Sequence, residues 1–433
     1  MHTLEQLERG ELAGTTRLDL CADLDELPDA VFGLADTLEV LNLTGNRLSS
    51  LPADLSRLHK LRILFCSENR FTRLPDVLGD CPQLEMVGFK ANRIRQVDAT
   101  ALPAPLRWLI LTDNAIEALP EALGERPRLQ KLMLAGNALT GLPASLADAQ
   151  QLELLRIAAN RLERLPGWLA DMPRLAWLAF AGNPFSDAAE ARVLAEHPLP
   201  LIDRRQIDVG PVLGQGASGI IHRANWRRPD APTRLMAVKL FKGEVTSDGL
   251  PHSEMAACIA AGRHPHLIGV AGPLAEQPQA RPGLLMELVD PAFQPLAAPP
   301  SLASCTRDVY AEDSCFSAEQ TRRIATAAAS VARHLHALGI LHGDLYAHNL
   351  LVDPAAQCLL SDFGAASFFT LGSTQGLALQ RLEARAFGCL LEELLQRTTS
   401  PPQSLTALAA ACQDGTPVTR PDFNEILAVL ERA

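Results

Sequence analysis

No two of the nine cysteines form a C-x-x-C pair. That argues against a zinc site, and an odd number of scattered cysteines suits free thiols in a reducing compartment. No uncharged run reaches the ~20 residues that a membrane helix needs, so no membrane insertion is expected. The first ten residues, MHTLEQLERG, lack the apolar core of a secretory signal. A cytoplasmic chain is expected, although a non-classical export route would leave no mark in this reading. Positive charge is short as well: the formal net charge is −11, which argues against a general nucleic-acid binder and in favour of protein partners or locally held small anions. Lysine is the scarcest charged residue, present only at Lys60, Lys90, Lys131, Lys239 and Lys242. A lysine kept inside an apolar strand therefore stands where arginine would not serve.

With 47% apolar and 21% charged residues over 433 positions, the chain can bury two or three separate cores. Its first half repeats itself. LEVLNLTGN at 38–46 aligns with LRILFCSEN at 61–69, LEMVGFKAN at 84–92, LRWLILTDN at 106–114, LQKLMLAGN at 129–137, LELLRIAAN at 152–160 and LAWLAFAGN at 175–183. The closing asparagines fall 23, 23, 22, 23, 23 and 23 residues apart, and Leu-Pro pairs recur between them, as at Leu51-Pro52 and Leu142-Pro143. A degenerate earlier copy places Asp23 where the asparagine should stand. No such unit can bury its own apolar face, so the copies must stack, with leucines inward and each short strand beside the next in a parallel sheet. The pattern is similar to the leucine-rich repeat family and covers about 15–183.

The variable strand positions define the concave face. They carry Trp108 and Trp177 at the third position and Phe65, Ile110 and Met133 at the fifth. So apolar a surface suits a protein partner or substrate, or cover by another part of the same chain. After Asn183 the period stops. The stretch 184–197 is expected to cap the array, which gives a first domain of 1–197, and the prolines of 198–205 suggest a linker.

Gly214, Gly216 and Gly219 form G-x-G-x-x-G. The strand-like residues after Gly219 make this a hairpin loop, since a dinucleotide-binding loop would open a helix instead. MAVKL at 236–240 is a strand holding one of the few lysines, Lys239. Glu254 lies in an expected helix, GLLMELV at 283–289 is a further strand, and a helix is expected over about 318–338. HGDLYAHN at 342–349 and DFG at 362–364 follow.

Together these residues, over 206–433, resemble a protein kinase domain, an α+β bilobal fold placed after the α/β repeat solenoid. Phosphoryl transfer asks for positioning and charge neutralisation. The resemblance implies ATP and Mg2+ as cofactors. Leu213, Gly214, Gly216, Gly219, Ile221, Ala237, Met286, Glu287 and Val289 would frame the nucleotide. Lys239 would hold its phosphates and be oriented by Glu254, Asp344 would accept the proton of the substrate hydroxyl, and Asn349 and Asp362 would hold the metal. Phe363 would pack to set Asp362.

The pattern also departs from the family. Gly343 replaces the usual arginine, which implies activity without a phosphorylated activation loop. Tyr346 stands where serine/threonine kinases commonly keep lysine. Past Asp362 the chain is short and has no A-P-E; Glu383 replaces the aspartate of the next helix motif, and Arg420 has no evident glutamate partner. Ser367, Thr370, Ser373 and Thr374 are candidate self-phosphorylation sites. The proline-rich 291–317 is an insertion expected near the mouth of the site. The expected activity is transfer to protein hydroxyls, serine or threonine first. A pseudokinase adaptor and a small-molecule kinase stand as alternatives.

Overall fold

Asparagine decides the shape of the first half. In the computed structural model, which describes every residue except 1, 197, 198, 217, 230, 243, 244, 247, 276, 278 and 433, Asn46 lies buried between two coils. Its Oδ1 accepts from the N–H of Ala22 and Leu24, and its Nδ2 donates to the carbonyls of Leu20 and Leu43. Asn69 repeats the arrangement with Leu48 N–H and the carbonyls of Leu43, Cys66 and Ser67. A turning backbone leaves such groups without sheet partners, and a short amide can satisfy donor and acceptor at once.

The chain divides into two compact units, Met1–Leu169 and Ala170–Ala433. In the first, a short helix α1 (Leu4–Glu8) precedes seven three-residue strands: β1 (Arg17–Asp19), β2 (Val40–Asn42), β3 (Ile63–Phe65), β4 (Met86–Gly88), β5 (Trp108–Ile110), β6 (Lys131–Met133) and β7 (Leu154–Arg156). Each is parallel to the next in chain order, so the degenerate first copy is a true coil. Inward leucines such as Leu41, Leu64, Leu109 and Leu132 form the core. Short 3-10 turns such as Asp76–Leu78 and Glu121–Leu123 follow the Leu-Pro pairs.

The strand faces are less open than the sequence suggests. Trp108 is buried, with the Lys131 ammonium 4.1 Å from its ring centre. Phe65, Ile110 and Met133 are half-buried. Phe65 lies over Gly88, where an added Cβ would come within 2.5 Å of its ring.

The second unit holds the last repeat strand β8 (Trp177–Ala179) and helix α2 (Pro184–Glu196). Strands β9 (Ile207–Gln215), β10 (Gly219–Arg228), β11 (Ala231–Phe241), β12 (Val270–Pro273) and β13 (Gly283–Glu287) form an antiparallel sheet in the order β12-β13-β11-β10-β9, with helix α3 (Pro251–Ala260) packed on it. The expected boundary between cap and linker, at 197 and 198, lies outside the described residues. Ile202, farther along the proposed linker, is buried with Met236, Val238, Leu274 and Leu285 beneath this sheet.

A helical half follows, built on α4 (Ala318–Ala337), α5 (Thr374–Leu395), α6 (Gln403–Cys412) and α7 (Phe423–Leu430). It carries the two-stranded and three-stranded sheets of β14 (Gln294–Pro295), β15 (Ile340–Leu341), β16 (Leu350–Val352), β17 (Cys358–Leu360) and β18 (Ser367–Phe368). Ser317 and Gln320 cap α4 reciprocally. Among the described residues no helix is long and apolar enough to cross a membrane. The fold class read from the sequence is the one observed: a parallel repeat sheet, then an antiparallel sheet joined to a helical half.

Replacing Asn69 by Ala strands one buried amide and leaves three carbonyls without their donor. It should lower the stability of the first unit by about 3 kcal/mol, seen as a lower urea midpoint with an unchanged slope.

Candidate active site

The hairpin read from the glycines is present. β9 and β10 pair with Gly214 opposite Ile221, and β10 pairs with β11 with Ile221 opposite Lys239. Side-chain space beside Gly214 and Gly216 is open. At Gly219 a Cβ would lie 2.8 Å from the Leu240 carbonyl and 3.2 Å from the Lys239 stem, so this position must stay bare. Leu213 is exposed and Ile221 half-buried. Ala237 faces Met286 across β11 and β13. Glu287 pairs with Arg234 at 2.9 Å, and its N–H donates to the Gly269 carbonyl; Val289 follows β13 and is half-buried.

Lys239 is buried on β11, and its ammonium is paired with the buried Glu254 carboxylate of α3. Asp362 Oδ1 lies 3.9 Å from the same ammonium. Burial pushes the Lys239 ammonium down, but the charges of Asp362 and Glu254 outweigh it and hold the lysine above its ordinary value. A buried cation is tolerable only with such partners.

On the helical half, Asn349 Nδ2 donates to the Asp344 carbonyl at 2.9 Å and to Asp344 Oδ2 at 2.8 Å. The amide fixes the carboxylate and leaves its own oxygen as an acceptor. Asp362 holds a left-handed backbone, φ 54°, with Oδ1 accepting from Gly364 N–H; non-glycine residues in that region concentrate at functional sites. Phe363 is buried edge-to-face on His342. Asp344, Asn349 and Asp362 offer only oxygen donors, a set that fits a hard divalent cation.

Residues 207–378 match the family described as protein tyrosine and serine/threonine kinase, and 36–94 and 127–185 match leucine rich repeat. The chain carries leucine-rich repeats and a protein kinase domain. It is 29% identical over 198 residues to CBL-interacting protein kinase 22 of Oryza sativa subsp. japonica, covering 42% of this chain and 41% of that protein. It is 30% identical over 125 residues, 28% of this chain, to a probable inactive serine/threonine-protein kinase of Dictyostelium discoideum, covering 5% of it. Over 132 residues, 29% of this chain, it is 30% identical to a leucine-rich repeat and calponin homology domain-containing protein of Mus musculus, covering 18% of that protein. The chain therefore spans less than half the length of each.

Within the kinase domain the departures acquire physical reasons. Gly343 has φ 72°, and a Cβ there would lie 2.5 Å from the Leu178 carbonyl and 2.7 Å from that of Ala365. No arginine fits. Its N–H donates to Glu383 Oε1, while Glu383 Oε2 meets His336 Nε2 at 2.7 Å. Burial pushes the Glu383 carboxyl up, but the hydrogen bond and charge of His336, with the Gly343 N–H, outweigh it and hold the group below its usual 4.5. Arg420, for which no glutamate partner was evident, donates to the carbonyls of Asp414 and Pro173.

Two expectations need correcting. Trp177 does not face a partner: it is 1% exposed, stacked on Tyr346 at 4.2 Å and 7° between planes. Ser367 is no open phosphorylation site, being fully buried with Oγ accepting from Phe180 and Ala181 N–H. Sequence reasoning also left the insertion without a role. Its Asp308 accepts from His348 N–H at 2.9 Å and from His348 Nδ1 at 2.7 Å. Burial pushes the His348 imidazolium down, but Asp308, Asp344 and Asp362 outweigh it and hold the ring above its usual 6.5. One of three acidic residues in a proline-rich stretch, Asp308 carries no periodic signal that could have revealed this.

Gly343→Ala should cost about 2–4 kcal/mol through left-handed strain and overpacking, measured by calorimetry. Because the folded Glu383 value is depressed, its ionised form stabilises the domain fully above pH 4.5, and that contribution is lost as pH falls below it. Glu383→Gln should flatten the acid side of a melting-temperature profile.

Proposed function

We propose that the kinase domain transfers the terminal phosphoryl group of ATP to protein hydroxyls, serine or threonine first, with the repeats recruiting the protein to be modified. The observation that supports this most is the convergence of Lys239, Glu254 and Asp362 in one charge cluster, with Asp344 held by Asn349. These residues come from β11, α3 and two separate loops, and a fold maintained only for packing has no need to bury a lysine beside two carboxylates.

In this reading the backbone of the Gly214–Gly219 turn covers the phosphates, and Lys239, kept cationic by its neighbours, neutralises their charge. Ala237 and Met286 border the base, with Glu287 and Val289 on the connection to the helical half. Asn349 and Asp362 would hold Mg2+, which when bound neutralises charge on the phosphates. Asp344, oriented by the Asn349 amide, accepts the proton of the attacking hydroxyl. Recruitment through the repeats raises the local concentration of the acceptor, which matters here because β18 leads within a few residues into α5. That same short connection favours a second reading, transfer to a small molecule.

Purified full-length chain incubated with labelled ATP and Mg2+ should label protein, and Lys239→Met and Asp344→Asn should each reduce the rate by at least about a hundredfold. Nucleotide binding without transfer would make the domain an adaptor. Label confined to soluble metabolites would establish the second reading instead.

A further inference from the structure

Three features of the second unit meet at the last repeat coil and the helix that caps it. The first is α2. Its buried Glu190 accepts from Ser253 Oγ at 2.9 and 3.2 Å and lies 3.5 Å from His252 Nε2. Ser253 precedes Glu254 directly, so α2 grips α3 at the residue beside the Lys239 partner.

The second is β8 and the turn after it. Trp177 Nε1 donates to the Leu345 carbonyl at 3.3 Å while its ring stacks on Tyr346. The next residues reach the segment past Asp362, where Phe180 and Ala181 N–H donate to Ser367 Oγ at 3.0 and 3.1 Å. The third is the insertion, which touches the same residues. The Arg307 guanidinium lies 5.2 Å from the Trp177 ring centre, and its neighbour Asp308 binds His348, whose ring sits 5.0 Å from Tyr346.

Phosphoryl transfer in this fold requires the lysine–glutamate pair and the metal-binding aspartate to be in place together, which helix position and a phosphorylated activation loop commonly govern. In this chain the arginine that would read such a phosphate is absent. Its space is taken by the Leu178 carbonyl, and the segment past Asp362 is anchored through a buried serine. We infer that the last repeat coil and its capping helix are a built-in activating element, with Glu190 and Trp177 as positioning residues for the glutamate helix and the catalytic loop. This rests on the proposed phosphoryl transfer. A coil of the repeat array thereby does the work of a phosphorylated loop, and the kinase domain needs no phosphate of its own to reach its working arrangement.

The test uses the full chain as wild type, Glu190→Ala, Glu190→Gln and Trp177→Ala, with turnover at varied ATP and amide hydrogen exchange read together. Glu190→Ala and Trp177→Ala should lower kcat about ten- to a hundredfold and change the KM for ATP less than about threefold. In Glu190→Ala exchange should quicken in 251–260 while α4 to α7 stay protected. Glu190→Gln, which can still accept from Ser253, should recover most of the rate. Phosphatase treatment should leave the wild-type rate unchanged. The inference falls if both alanine variants keep wild-type turnover and exchange, if protection is lost throughout the second unit, or if phosphatase abolishes turnover. Should the wild type transfer no phosphate at all, the proposed function fails by itself, while exchange in 251–260 still decides whether Glu190 positions the helix.

Discussion

The buried contact between Lys239 and Glu254 is the constraint on which the second unit depends. An ammonium taken out of water is costly unless a carboxylate meets it, and neither partner is tolerable alone. β11 supplies one and α3 the other, so sheet and helix have to keep one relative position. Asp362 brings a second negative charge to within 3.9 Å of the same ammonium, which extends the constraint to the helical half. Much of the rest serves to hold these pieces: Gly219 left bare against the Lys239 stem, α3 packed through Ile259 on Phe241 and Leu284, and Phe363 buried on His342.

A similar economy governs the catalytic loop. Gly343 is pinned by Glu383 from below and hemmed in by the Leu178 and Ala365 carbonyls. Tyr346, at the position where serine/threonine kinases commonly keep a lysine, is instead buried under Trp177. The residues that looked like losses relative to the family are thus the residues that let a repeat coil lie against the loop. Glycine admits the backbone, and tyrosine offers a flat face.

Much of this was legible in the chain. The repeat period followed from asparagines and leucines, because stacking demands the same side chain at the same place in every coil. The kinase motifs were readable because chemistry restricts each to one residue type: a lysine in an apolar strand, an aspartate five residues before an asparagine, three glycines in a hairpin. The exposure of the strand faces was misjudged at Trp108 and Trp177, since alternation along a strand tells which side a residue faces and not what covers it. Glu190, Asp308 and Ser367 were invisible as partners, because each acts through contacts with residues dozens to hundreds of positions away.

Composition and spacing by themselves determined that this chain builds a parallel solenoid, and a lysine, three acidic residues and an asparagine carried the resemblance to protein kinases that implied a two-part domain after it. Such features are local or strictly periodic, so they survive in one dimension. Only the tertiary structure decided that the last coil belongs with the second unit, that Trp177 is packing rather than surface, and that the missing arginine leaves no gap. Those outcomes depend on which surfaces meet once the chain is compact, and burial, unlike periodicity, is a property of neighbours that the linear order does not name.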